Sequence, residues 1–270
     1  NQDSTALVIK VNDIYDGTET SINNVFTNIN LGTSAIKNLS RILSIKSFPN
    51  NVVATSELTT KVTEGTTSVY VTVEVSSSIL LLPEKPMTGR FDNQKVGYFT
   101  NPLLSFSDAQ QGTDKKQYIT RWRMEPKPED REAYLKGQTV EPIKPIVFYI
   151  DNSTPYQWRS YIKKGIEDWQ TAFEKAGFKN AIIAKEITDS MHVDMDDVNY
   201  SVLTYAASEK KNAMGPSLLD PRSGEILEAD IMWWHNVLSM VREWITVQTG
   251  TVCPEARSVQ LPDSLMGDAI

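Results

Sequence analysis

Two histidines, one cysteine and a short acidic run are the first side chains in this 270-residue chain to weigh for chemistry. A catalytic zinc site takes three protein ligands, often two His on one helix with a Glu between them. His192 stands in a polar stretch and His235 beside Trp233 and Trp234, and neither has a periodic partner. A loop histidine and a packed one describe them better than metal ligation. The run Asp194-Met195-Asp196-Asp197-Val198-Asn199 could hold Ca²⁺, but an EF-hand loop needs an oxygen ligand where Val198 sits, then Gly and a distant Glu. It reads as a solvated acidic loop. Cys253 is the only cysteine, which excludes an internal disulfide and suits an inert packed thiol. No Gly-rich phosphate loop follows a strand, and no Ser sits in a nucleophile elbow. Trp158, Trp169, Trp233, Trp234 and Trp244 could stack on sugars, yet each falls in or beside an expected helix, so packing is the default. No catalytic residue is assigned.

Bulk properties narrow the field. The net charge is -7, and nucleic-acid surfaces need a basic stripe. Hydrophobic residues at 40% and charged residues at 23% are ordinary for a globular chain. No run of ~18 apolar residues suggests a membrane span. The start, Asn1-Gln2-Asp3-Ser4, has neither an initiator Met nor a signal peptide, as in a processed or trimmed chain.

The elements that must position any site follow from periodicity. In Ser68-Val69-Tyr70-Val71-Thr72-Val73-Glu74-Val75, Val at every second position predicts a strand with four valines on one face. Asn50-Asn51 and Glu64-Gly65 predict turns around it. Ile36, Leu39, Ile42 and Leu43 recur at helical spacing, which predicts a helix within Thr33–Ile45. Ile146–Ile150 predicts a buried strand. Asp151–Pro155 offers an N-cap followed by Pro at the first helical position. Trp158, Ile162, Ile166, Trp169 and Phe173 then form one apolar stripe, and Gly177 supplies the stop. Ala181–Ile187 and Tyr200–Ala206 predict two further strands.

The stretch GPSLLDPRSGEILEADI (215–231) predicts a hairpin. Asp220 accepts backbone hydrogen bonds, Pro221 presets φ, and Gly224 takes a positive φ. Its alternation would turn Leu227, Ala229 and Ile231 to one side and Ile226, Glu228 and Asp230 to the other. The fold class is therefore α+β: a β-rich N-terminal domain (1–125), a Pro- and charge-rich linker (126–144), and a mixed sheet with a long packed helix (145–270).

Several segments carry a resemblance. PIVFYIDNSTPYQWRSYIKKGIEDWQTAFEKAGFKNAI (145–182), NYSVLTYA (199–206) and the hairpin resemble a bacterial family of metzincin-like zinc metallopeptidases. LLLPEKPMTGRFDNQKVGYF (80–99) and QYITRWRMEP (117–126) resemble that family's N-terminal domain of unknown function. The resemblance implies a five-stranded sheet and a long helix above a cleft, with an edge strand that hydrogen-bonds an extended peptide. That edge would be Ala213, Met214, Gly215, Pro216, Ser217 and Leu218, and the partner a peptide or protein substrate. LPDSLMGDAI (261–270) resembles the start of the helix that carries the family's His-Glu-x-x-His motif. Every zinc ligand and the catalytic Glu would then lie beyond Ile270. Zinc is thus expected in the parent protein and not on this chain, which alone would be inactive. An extracytoplasmic location and an exposed apolar sheet face prone to self-association are also implied. The alternative is a non-catalytic extracytoplasmic module that binds peptide or glycan. A third reading makes the N-terminal domain a pro-segment that masks the cleft, with Asp92 capping the metal, against the commoner role of Asp92 as an exposed turn aspartate.

Overall fold

The computed structural model describes residues 8–22, 24–31, 34–109 and 111–269. By its internal contacts the chain forms two units, Asn1–Leu81 and Leu82–Ile270. Asn1–Ser4, Thr33 and Ile270, which figure in the expectations above, lie outside the described residues.

In the first unit, helices α1 (Asn12–Tyr15) and α2 (Val25–Asn28) precede an antiparallel sheet of order β1-β2-β3. Its strands are β1 (Arg41–Ser47), β2 (Asn51–Glu64) and β3 (Thr67–Leu80). The valine alternation holds over part of its length: Val71, Val73 and Val75 are half-buried while Thr72 and Glu74 between them are exposed, but Val69, nearer the hairpin end, is exposed too. Gly65, at φ 61°, turns the β2–β3 hairpin. Leu58 and Ala54 on β2 are fully buried, as are Tyr15 and Phe26 from the helices.

The helix expected within Thr33–Ile45 is not formed. Lys37–Leu39 makes a single 3₁₀ turn, and Arg41–Ser47 is a strand. Pairing with β2 overrides the local period: Ile36 N–H donates to Thr59 O, Thr59 N–H donates to Ser40 Oγ, and Ile45 pairs with Ala54. Once a neighbouring strand claims that backbone, apolar spacing alone cannot hold a helix.

The second unit opens with a two-stranded ribbon, β4 (Thr100–Ser105) and β5 (Asp114–Ile119), and the short helix α3 (Arg131–Leu135). Then come β6 (Ile146–Ile150), helices α4 (Tyr156–Asp168) and α5 (Gln170–Lys175), β7 (Ile182–Glu186) and β8 (Ser201–Ala206). Four short strands follow: β9 (Ala213–Met214), β10 (Ser217–Asp220), β11 (Glu225–Ala229) and β12 (Ile231–Trp234). Helices α6 (Val237–Thr249) and α7 (Asp263–Ala269) complete it. The expected α+β class is borne out: antiparallel sheets early in the chain, then a mixed sheet with a long helical segment.

That mixed sheet has five strands in the order β7-β6-β8-β12-β9. The first four are parallel and β9 runs antiparallel to β12. Ile146, Phe148 and Ile150 from β6 meet Trp158, Ile162 and Ile166 from α4, and Leu261 and Met266 join the same core. Pro155 caps α4 instead of occupying its first turn. Trp169 departs from the predicted stripe. It lies between α4 and α5 and is 65% exposed. Gly177, at φ 92°, ends the helical segment as expected.

Candidate functional site

The six residues Ala213 to Leu218 are all exposed, but they do not form one strand. Ala213 and Met214 make β9, the outermost strand of the mixed sheet, opposite Trp233 and Met232. Ser217 and Leu218 begin β10, which among the described residues pairs only with β11. Gly215 and Pro216 connect the two. A sheet's last strand offers a row of backbone donors and acceptors to an incoming chain. Here one donor is locally occupied, since Ala213 N–H is met by Asn212 Oδ1 at 2.9 Å. Met214 and its cross-strand neighbour Met232 are both exposed, giving this edge an adaptable apolar margin.

The second arm of the hairpin belongs to both sheets. Residues 225–229 pair with β10, and residues 231–234 pair with β8 and β9. Asp230 lies at the changeover. Its N–H donates to Pro216 O at 3.0 Å, and its Oδ1 accepts from Val202 N–H at 2.8 Å. Ala229 N–H donates to Ser201 Oγ at 3.1 Å. The exposed connection 215–216 is therefore tied through Asp230 to the central strand β8.

The expected alternation of the second arm fails. Leu218 pairs with Glu228 but Leu219 pairs with Ile226, so Leu227 is an extra residue, a β-bulge. A bulge re-aims the side chains that follow it, and Glu225 and Glu228 are consequently both buried. Glu225 has Arg123 near it, with Nη1–Oε2 at 3.8 Å. Among the described residues, no cation acts on Glu228. Burial first, and then the neighbouring Asp230, push its carboxyl up to about 8, and its Oε1 has no hydrogen-bond partner.

The hairpin tip and the segment after β5 together clamp residues 83–88. Arg222, Arg123 and Arg121 donate to the carbonyls of Pro83 (2.7 Å), Lys85 (3.2 Å) and Thr88 (2.9 Å). Arg222 also forks onto Asp220, with Nη2–Oδ2 at 2.7 Å. The Arg222 hydrogen bond holds the Asp220 carboxyl below the usual carboxylate range, against the effect of its burial. Gly224, at φ 74°, is required here twice over. Its conformation is left-handed, and an added Cβ would lie 2.5 Å from Ile119 O.

On the helical face of the sheet, a cavity of about 470 Å³ lies among Phe148, Ile162, Ile166, Leu203, Ile231 and Trp233. It reaches β12, the strand beside the exposed edge. His235 pairs through Nδ1 with the Tyr205 hydroxyl, and Lys210 sits over the Trp234 ring at 4.8 Å. In the acidic loop, Asp194 and Asp197 accept from the N–H groups of Asp196 and Asn199. Asp92 donates its N–H to Gln117 O, and its buried Oδ1 has no hydrogen-bond partner. Among the described residues, no three His, Cys, Asp or Glu side chains converge closely enough to hold a metal ion.

Sequence reasoning missed Asn212, Glu228 and Asp230. The available signal was two acids at alternate positions in an otherwise apolar arm, Glu228-Ala229-Asp230, which would ordinarily mark a solvent face.

Comparison with known proteins gives one match: a family model described as a domain of unknown function (DUF5117) covers residues 1–127. This agrees with the N-terminal domain of unknown function expected from the sequence. No curated protein and no solved structure matches the chain. Among the described residues, no helix is long and apolar enough to cross a membrane.

Proposed function

We propose that this chain is the N-terminal portion of an extracytoplasmic zinc-dependent endopeptidase and contributes its substrate-binding edge. Residues Ala213 to Leu218 would receive an extended polypeptide by strand addition. The observation that carries the reading is the position of β9: last in the five-stranded sheet, antiparallel to its neighbour, with an exposed approach. The long helix packed on that sheet, and the ordered segments that resemble the metallopeptidase family, add support.

Zinc does not fit the described residues, which bring no donor set together, so no hydrolytic step is derived through it. In this reading the chain's own task is to hold backbone. The edge presents its N–H and C=O groups, Met214 and Met232 offer adaptable apolar contact, and Asp230 anchors the connection between the two strands. Peptide recognition by main-chain bonds tolerates varied sequences, and alternate side chains supply what selectivity there is.

The test uses fluorescently labelled unfolded β-casein and the 270-residue chain. Ala213→Pro removes the N–H that Asn212 now covers, a substitution edge strands tolerate. Casein should bind the parent chain, and the variant should bind about tenfold more weakly with an unchanged melting temperature. Equal binding by both proteins, or none by the parent, would overturn the reading.

A further inference from the structure

The arm 225–234 changes sheets at the half-buried Asp230, two residues after the buried carboxyl of Glu228. Glu228 is only 8% exposed. It faces Leu218 across the β10–β11 ladder, and Asp230 holds Pro216 O with its N–H and Val202 N–H with its carboxylate. Packed against the pair from β8 are Ser201 and Val202, and from the exposed arm Pro216 and Leu218. None of these four is charged. Glu225, three residues earlier, is the acid that Arg123 approaches. Among the described residues, the charged group acting on Glu228 is Asp230. A buried carboxylate with no cation beside it among the described residues is repelled by an acidic neighbour once it ionises, and in its protonated form it is not.

We propose that Glu228 and Asp230 form a proton-operated latch that holds the exposed segment 213–218 in its receptive geometry. With Glu228 protonated, Asp230 keeps both its anchors, and the β9–β10 connection stays seated on β8. With Glu228 ionised, the repulsion falls on the residue that ties Pro216 to Val202, and the connection loosens. This inference rests on the peptide-edge reading for its purpose, though not for its existence. The raised affinity of Glu228 for its proton places the change on the alkaline side of neutrality.

Hydrogen exchange at the amides of Ser217, Leu218 and Asp230, corrected for intrinsic rates, and Trp fluorescence should both be followed from pH 6 to pH 9.5. Protection of those amides should fall about tenfold or more through a transition near pH 8, with Trp233 and Trp234 reporting the same midpoint. Glu228→Gln, close to isosteric, should abolish the transition. Asp230→Asn, which keeps an oxygen for Val202, should move it to lower pH. A transition that survives Glu228→Gln overturns the latch, and so does its absence from the parent chain. A transition that Glu228→Gln removes upholds the latch even if β-casein never binds, so failure here is distinct from failure of the peptide reading.

Discussion

Glu228→Gln is expected to stabilise the chain at alkaline pH by up to about 5 kcal/mol, the largest single effect anticipated. Below about pH 4.5 Glu228 is protonated in both the folded and unfolded chains, and stability is fully present. Between about 4.5 and about 8 the unfolded chain ionises while the folded chain keeps its proton, so stability falls. Above about 8 both are ionised and the loss is complete. Gln carries no titrating group and should remove this slope. Urea midpoints at pH 5, 7 and 9 check it: parent and variant should lie near each other at pH 5 and separate by pH 9. Parallel pH profiles would show that the buried Glu228 carboxyl does not govern stability.

Asp220→Ala is expected to destabilise the folded chain by about 1–2 kcal/mol at neutral pH, because charge-assisted hydrogen bonds are lost while the released Arg222 remains 41% exposed to water. Asp220 is 0% exposed, and the fork from Arg222 is its main charged partner. Its loss frees Arg222 and weakens the clamp on Pro83. The pH dependence has the opposite sense to that of Glu228. The folded carboxyl titrates below its ordinary value, so the stabilisation is present above about pH 3.8 and fades as pH falls through the lower folded value. The acid limb of a thermal-melt profile should therefore be shallower in the variant. A melting temperature at neutral pH equal to the parent's would contradict the clamp.

Local period and turn chemistry made much of the second unit legible. Ile146–Ile150, the stripe Trp158–Ile162–Ile166 and the turn residues Asp220 and Gly224 each carry their instruction within a few residues, and the structure follows it. Where partners distant in sequence decide the outcome, the reading failed. Ile36 to Ile45 have helical spacing, yet β2 takes their backbone into a sheet. Nothing local marks Leu227 as a bulge, because a bulge exists only relative to β10. That one extra residue buries Glu225 and Glu228 together, and without it the acids of the arm would read as a solvent face.

The candidate site divides the same way. Segment 213–218 entered through resemblance and not through any chemistry of its side chains. Its position at the end of the sheet is a property of strand order, which a single sequence does not state. Asn212 covering an edge N–H and Asp230 joining two sheets are visible only in three dimensions. His235, expected to be packed, is exposed instead, because β12 ends at Trp234 and the chain turns outward there. His235 has Tyr205 as its partner, and the thiol of Cys253 donates to Glu255 at 3.3 Å.

Hydrogen exchange of the 270-residue chain with and without saturating β-casein, at pH 7, tests the central claim most directly. If a foreign polypeptide adds to the sheet at β9, amides from Ala213 to Leu218 should gain protection while those of β3 do not change. Protection confined to other segments, with the amides of 213–218 exchanging as freely as before, would contradict it.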